Sequence, residues 1–192
     1  MMIFRGINDM KDSIFNMPKA VTIMGRSSSI SNAFVNGIVP AIEPSDEQIK
    51  QALKVLGQDE NDVRCVYCGD KKTEWDHLYP LIERKKHTGY ITEIANLVPA
   101  CGKCNQSKGN KNWKKWMTSD AKLSPKSRNI PNLNKKIQLI ENYDKSFTKR
   151  KVNLEELAGK ELWKSYEGSY NELLDAMAHT QEIMNKIKKR IN

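Results

Sequence analysis

Four cysteines are the first indication of chemistry in this sequence. They form two Cys-x-x-Cys pairs, Cys65 with Cys68 and Cys101 with Cys104, and the chain has no other cysteine. Two such pairs supply the four thiolates that structural zinc prefers in tetrahedral coordination. The alternative is two unrelated pairs of free or redox-active cysteines. We expect a closed zinc site that ties the intervening segment into a loop and leaves no open position for catalysis.

A second group of chemically capable side chains lies within and beside this loop. Asp76 and His77 are adjacent, Asn96 precedes the second cysteine pair, and Asn105 directly follows Cys104. Carboxylate and amide oxygens are hard ligands suited to Mg²⁺ or Mn²⁺. An imidazole with an ordinary pKa of about 6.5 can accept a proton at neutral pH. A lone histidine is more often a surface or packing residue, so His77 is singled out by its neighbours.

The order of these residues closely resembles the HNH endonuclease family, also called ββα-metal or His-Me finger nucleases, and within it the four-cysteine zinc subgroup that includes restriction-endonuclease-like proteins. The resemblance covers roughly residues 65–117. One departure is Asn105, which stands where many members have histidine, although asparagine also occurs there. The matching segments are Cys65-x-x-Cys68, Trp75-Asp76-His77-Leu78-x-Pro80-Leu81, and Asn96-Leu97-Val98-Pro99-x-Cys101-x-x-Cys104-Asn105-x-x-Lys108-Gly109.

The resemblance implies a role for each matching residue. His77 would be the general base that takes a proton from the attacking water. Asp76 and Asn105 would hold one Mg²⁺ or Mn²⁺ ion that contacts the scissile phosphate. Asn96 would orient the loop beside His77 rather than bind metal. Because adjacent strand residues point to opposite faces, we expect a bend or a strand end at Asp76 and His77.

Positive charge favours a polyanion as the partner. The formal net charge is +9, although charge alone indicates nucleic acid only weakly. We expect double-stranded DNA, with sequence-independent contacts from five lysines around the predicted short helix, and the alternative is a solvated charged face. Those lysines are Lys103, Lys108, Lys111, Lys114 and Lys115, and a second basic group flanks the motif at Lys71, Lys72, Arg84, Lys85 and Lys86.

Local signals predict the elements that position these residues. Ser45 and Gln48 form a capping-box pattern for a helix that ends near Gly57. A strand is expected around residues 74–79 and a second over 96–100, joined by a loop at 80–92. A short helix should begin near Asn105 and be interrupted around Gly109, before a second short helix at 113–117. Residues 118–132 have the composition of a connection, and the rest is helical in pattern.

These signals give an α+β fold class: a ββα-metal motif at 61–117 with mostly helical additions at 1–60 and 118–192. The C-terminal region could serve DNA recognition or a homodimer. We expect no membrane association, because no apolar run is long enough to span a bilayer. We expect a cytoplasmic endonuclease, because residues 1–10 have no apolar segment typical of a secretory signal. A sequence-specific restriction or defence enzyme is the leading hypothesis. The alternatives are a nicking or structure-selective nuclease, a nuclease subunit of a defence complex, and a non-catalytic zinc-binding DNA module.

Overall fold

The computed structural model describes residues 17–191. Eleven regular elements are found in this part of the chain, besides two short 3₁₀ helices at Met24–Arg26 and Ile94–Asn96. The helices are α1 (Ser27–Asn36), α2 (Asp46–Val55), α3 (Gly102–Lys108), α4 (Trp113–Met117), α5 (Leu133–Ser146), α6 (Leu154–Ala158) and α7 (Lys160–Ile191), and the strands are β1 (Glu74–His77), β2 (Ile82–Glu83), β3 (Lys86–His87) and β4 (Leu97–Ala100).

The described chain divides into two units. The larger unit is Ser28–Tyr170 and contains every residue with a predicted role. The smaller unit combines residues 17–27 with residues 171–191, and within it the backbone N–H of Ile23 donates to Gln181 Oε1 at 2.9 Å. The mixture of helices with small antiparallel sheets confirms the predicted α+β class.

Strands β1 and β4 form the centre of the larger unit. They pair antiparallel, with Glu74 opposite Ala100 and His77 opposite Leu97, and α3 follows β4 directly. This is the predicted strand, strand and helix order. The segment between the strands differs from the predicted loop, because β2 and β3 form a second small antiparallel pair within it.

Helix α2 begins as its sequence predicts. The Ser45 hydroxyl accepts from the Gln48 N–H, and the Gln48 side chain accepts from the Ser45 N–H, which is a complete capping box. The helix ends before Gly57, whose φ of +63° is a conformation that glycine adopts without a Cβ clash. Ala52 of the helix and Leu56, its C-cap, pack in the same core as Ile140 of α5.

One hydrophobic core joins the predicted motif to both of its flanks. Tyr67, Trp116 and Met117 from the motif are fully buried together with α2 and α5 side chains. Tyr143 of α5 also donates a hydrogen bond to the carbonyl of Leu97 at 2.9 Å. Residues 61–117 therefore share one hydrophobic core with α2 and α5, the helices on either side of them in sequence.

A second, smaller core places α1 beside the hairpin. Val35 of α1 is buried with Leu81 and Ile82, and Val39 and Tyr90 pack against this cluster. This contact brings the polar face of α1 to the end of β1.

Candidate functional site

The four cysteines form one buried cluster. Their sulfur atoms all lie within 4.8 Å of one another, and Sγ of Cys68 is 3.6 Å from Sγ of Cys101. A tetrahedral zinc ion with Zn–S bonds of about 2.3 Å would hold its sulfurs about 3.8 Å apart. The geometry therefore fits zinc, as the spacing of the two pairs predicts.

Two tight backbone turns present the thiols. In the first turn, the N–H of Gly69 donates to the carbonyl of Cys65 at 2.7 Å, and Gly69 has a φ of +85°. In the second, Cys101 is the N-cap of α3, so Cys104 lies on the first turn of that helix. Hydrogen bonds with Cys104 and Cys68 lower the pKa of the Cys65 thiol, and the hydrogen bonds with Cys65 and Cys68 raise the pKa of the Cys104 thiol. These opposite shifts arise because the sulfur atoms lie close together.

Arg128 closes the cysteine cluster on one side. Its guanidinium donates to Sγ of Cys104 at 3.3 Å and forms an ion pair with Asp70 at 3.1 Å. A cation beside the sulfurs offsets part of the negative charge that four thiolates would carry around one Zn²⁺ ion. The connection 118–132 therefore contributes to the metal site.

A polar cleft of about 310 Å³ lies beyond the cysteine cluster, at the end of β1. Three of the predicted site residues, Asp76, His77 and Asn105, line it together. They come from two elements, since Asp76 and His77 end β1 and Asn105 lies on α3. The remaining lining residues are Asn32, Asn36, Pro80, Leu81, Ile82, Gly109 and Asn110.

His77 lies at the last position of β1, as the sequence argument requires. Its Nε2 is 2.9 Å from the hydroxyl of Thr92. Burial, followed by the nearby charge of Lys108, lowers the pKa of His77 to about 4. The imidazole is therefore neutral at neutral pH, and burial makes it a weaker base than a free histidine side chain.

Asp76 is buried and held by two partners. Its Oδ2 accepts from the Tyr67 hydroxyl at 2.6 Å, and its Oδ1 accepts from Lys108 Nζ at 3.1 Å. Burial raises the pKa of Asp76, and the charge of Lys108 opposes that shift. Burial likewise lowers the pKa of Lys108, against the attraction of Asp76. Each group makes the charged form of the other tolerable in the interior.

Lys108, one of the five lysines predicted to contact DNA, is buried instead of exposed. Its side chain is only 1% exposed, and Nζ also donates to the carbonyl of His77 at 2.7 Å and that of Gly109 at 3.2 Å. A phosphate contact is excluded for this side chain because all three of its hydrogens are directed to interior acceptors. The other predicted lysines are exposed, namely Lys103, Lys111, Lys114 and Lys115, although Lys114 forms an ion pair with Glu141.

Asn96 is fully buried and holds the chain that follows His77. Its Oδ1 accepts from the N–H of Tyr79 at 2.8 Å, while its Nδ2 donates to the carbonyl of Tyr79 at 3.0 Å and to that of Ile91 at 3.4 Å. The carbonyl of Asn96 also accepts from the N–H of Leu78. The side-chain oxygen and nitrogen of Asn96 are both hydrogen-bonded to the backbone, as expected of a residue that orients a loop.

Several cleft residues lie outside the sequence prediction. Asn32 and Asn36 are exposed and share one face of α1, because they are four residues apart. This spacing is visible in the sequence, but nothing in the sequence connects it with the motif at 61–117. Thr92 and Tyr67 could not be identified from the sequence, because their roles depend on tertiary contacts with His77 and Asp76. His87 and His179 lie outside this cleft.

No helix among residues 17–191 has the combination of length and apolar character needed to span a bilayer.

Comparison with known protein families gives a match to part of the chain. Residues 65–111 match the family model for the HNH endonuclease. The comparisons with curated proteins and with solved structures found no match to the chain. The matched segment begins at Cys65, includes all four cysteines, and extends past Asn105 to Lys111. Residues 65–111 therefore match an HNH endonuclease domain, the four cysteines fit a metal site of its zinc subgroup, and the match supports a nuclease of this family.

Proposed function

We propose that this protein is a metal-dependent DNA endonuclease in which His77 is the general base. The observation that carries the proposal is the convergence of Asp76, His77 and Asn105 on one cleft of an HNH domain. The cleft is polar and open enough to admit a phosphodiester, and its imidazole is neutral at neutral pH.

The hydrogen bond to Thr92 assigns the two ring nitrogens of His77 different tasks. If Nε2 carries the proton and donates to the Thr92 hydroxyl, Nδ1 has the free electron pair. Nδ1 would then take the proton from a water as its oxygen attacks phosphorus. The bond from phosphorus to the 3′ oxygen breaks, and the leaving oxygen takes a proton from a solvent water, which gives a 5′ phosphate and a 3′ hydroxyl.

The donor set of the cleft fits a Mg²⁺ or Mn²⁺ ion. A carboxylate offers about four lone-pair positions, and Tyr67 and Lys108 use two of those on Asp76. Asn105 adds an amide oxygen, and two protein ligands are a common number for Mg²⁺ when phosphate and water complete the shell. When bound, the ion would supply Lewis-acid stabilisation of charge on the scissile phosphate.

The proposed partner is double-stranded DNA. Exposed Lys103, Lys111 and Lys115 lie on or near α3 and α4 and would contact backbone phosphates without reading sequence. We further propose a restriction or defence role, since about three quarters of the chain lies outside the HNH segment and is available for recognition. A nicking or structure-selective enzyme, or a nuclease subunit of a larger complex, would share the same site.

A homodimer would explain cleavage of both strands. Helix α7 has exposed apolar side chains that a second copy could cover, and two active sites related by a twofold axis can each cut one strand. Light scattering of the purified protein with and without DNA tests this. The exposed apolar side chains of α7 include Leu162, Leu173, Ile183, Met184 and Ile187.

Plasmid cleavage tests the proposed function. The purified zinc-loaded protein should convert supercoiled plasmid to discrete products in the presence of Mg²⁺ or Mn²⁺. His77→Ala should reduce the rate by at least about 100-fold, the usual contribution of a general base. His179→Ala is the matched control, because His179 is exposed on α7 and outside the cleft.

Each outcome identifies a different function. Discrete fragments support restriction, whereas nicked circles support a nicking enzyme. DNA binding without any cleavage by the wild-type protein would refute the proposal and would indicate a non-catalytic zinc module. Unchanged cleavage by His77→Ala would refute the assignment of the base.

A further inference from the structure

A second and larger cleft, of about 630 Å³, adjoins the proposed active site. Pro80 and Asn110 line both clefts, so the two are continuous along one surface of the larger unit. The proposed catalytic residues Asp76, His77 and Asn105 line the first cleft and not the second. The second is lined by cations and aromatic rings, and the hairpin β2–β3 and the segment at Lys151 form its edges.

The charge of the second cleft is positive. Arg84, Lys86 and Lys151 line it and are exposed, and Glu83 is the one carboxylate among its described lining residues. The remaining polar groups include His87, which bonds to the carbonyl of Tyr90 at 2.8 Å. An open cleft with a surplus of cations favours a polyanion such as a nucleic acid backbone.

Aromatic packing fixes the position of one of these cations. Tyr79 and Tyr90 are stacked with ring centroids 4.9 Å apart, and Lys151 Nζ lies 4.5 Å from the centroid of the Tyr90 ring. Because Tyr79 and Lys151 both pack on Tyr90, its ring is already engaged in the protein. The cleft is therefore suited to phosphates held by charge, rather than to a base stacked on tyrosine.

The two cationic residues at the tip of the β2–β3 hairpin have an unfavourable backbone conformation. Arg84 and Lys85 form the two-residue loop between β2 and β3, and both have positive φ, +50° and +65°. Positive φ at both central positions characterises the tight hairpin turn in which Asn-Gly is strongly favoured. Two long cationic side chains are poor choices for such a turn on conformational grounds, so their presence there calls for another reason.

We infer that the second cleft binds the DNA backbone next to the scissile phosphate, on the strand that leaves the active cleft past Asn110. Arg84, Lys86 and Lys151 neutralise successive phosphates there and hold the strand in register with His77. This inference rests on the proposed endonuclease function and specifies where the strand lies. It assigns backbone contacts, which position the DNA and do not read its sequence.

The salt dependence of DNA binding tests the inference. Affinity for a labelled 30-base-pair duplex is measured at several salt concentrations, without added Mg²⁺ or Mn²⁺ so that the duplex stays intact. Each lost phosphate contact should reduce the slope of log affinity against log salt by about 0.9. Arg84→Ala/Lys151→Ala should therefore reduce it by about 1.8, so that a fourfold rise in salt weakens binding about 12-fold less than in the wild type.

The matched control removes the same charge elsewhere. Lys50→Ala/Lys54→Ala changes two exposed lysines of α2 that line neither cleft. An equal decrease in slope for both double variants would refute the inference, because it would show a general charge effect. An unchanged slope for Arg84→Ala/Lys151→Ala, with the wild type still cutting plasmid, would refute the inference and leave the endonuclease function standing. A wild type that neither binds nor cuts DNA overturns both.

A second variant leaves Lys151 in place, because replacing Lys151 also removes its contact with the Tyr90 ring. Arg84→Asn/Lys85→Gly installs the favoured turn residues while it removes the cations. It should raise the melting temperature by roughly 2–4 °C, as expected from relief of positive-φ strain in a chain of this size. The same variant should bind DNA more weakly and with a lower salt slope. Greater stability with unchanged DNA binding would overturn the role of the hairpin tip.

Discussion

The buried pair of Lys108 and Asp76 gives the sharpest prediction for stability. Replacing Lys108 by Met preserves most of the side-chain volume and removes the charge. Asp76, 4% exposed, would then be a buried carboxylate without its cation, and the carbonyls of His77 and Gly109 would lose their donor. Breaking a buried ion pair in this way costs about 3–5 kcal/mol, a large fraction of the roughly 5–15 kcal/mol that stabilises a typical domain.

Urea denaturation of the zinc-loaded protein measures this cost. Trp113 and Trp116 are buried in the core next to α3 and should report unfolding by fluorescence. With a denaturant slope of about 2 kcal/mol per molar, a loss of about 4 kcal/mol shifts the midpoint by about 2 M. Lys103→Met is the matched control, because Lys103 lies exposed on the same helix and should change stability by no more than about 0.5 kcal/mol.

A double variant isolates the charge pair from packing. Asp76→Asn/Lys108→Met removes both charges and should recover part of the stability lost in Lys108→Met, with a coupling energy of about 1–3 kcal/mol. Equal and small midpoint shifts for Lys108→Met and Lys103→Met would refute the reasoning. That result would mean that Lys108 is solvated in solution and that its burial contributes nothing.

Three further predictions concern the metal site and the cleft. Cys68→Ser should prevent stoichiometric zinc binding, as measured by atomic absorption. The larger unit of this variant should unfold at a low urea concentration, since structural zinc contributes on the order of 10 kcal/mol to folding. Asn96→Ala should lower the free energy of unfolding by about 3 kcal/mol, because buried groups of Tyr79 and Ile91 lose their partners; a loss below about 1 kcal/mol contradicts this. Thr92→Val should lower kcat of plasmid cleavage more than it raises KM, with recovery in Thr92→Ser, because the hydroxyl orients the His77 ring.

Local signals in the sequence were sufficient for the elements with strong local rules. The capping box at Ser45 acts over three residues, so its prediction needed no tertiary information, and it is confirmed. The two strands and the following helix are confirmed as well, although α3 begins at Gly102, three residues before the expected start near Asn105. Cys101 acts as the N-cap of α3, and that shift follows from the geometry of the second cysteine turn.

Predictions failed where tertiary contacts override local preference. The hairpin β2–β3 was expected to be a loop because residues 80–92 are mostly polar. Gly159 follows the end of α6, whereas Gly168 lies within α7 without interrupting it. A glycine costs a helix only about 1 kcal/mol, which a helix of 32 residues can absorb.

The burial of Lys108 could not be inferred from charge patterning. In sequence it is one of five lysines within a short segment, and such a group normally lies on a solvated face. Only the fold shows that Lys108 is on the face of α3 that meets β1, while Lys103 is on the opposite, exposed face. Buried cations require specific partners, and those partners, Asp76 and the His77 carbonyl, are distant in the sequence.

Helix α3 links the two parts of the site through three of its side chains. Cys104 belongs to the sulfur cluster, Asn105 lines the cleft, and Lys108 binds Asp76 and the His77 carbonyl of β1. A zinc ion held by these cysteines would act on the cleft indirectly, because four thiolates leave no open position for a substrate. Loss of the sulfur cluster should displace Asn105 and Lys108 together, whereas loss of Lys108 should disturb Asp76 and His77 while zinc stays bound. Zinc content measured alongside cleavage in Lys108→Met separates these two effects, since only the first mechanism predicts that activity and zinc are lost in proportion.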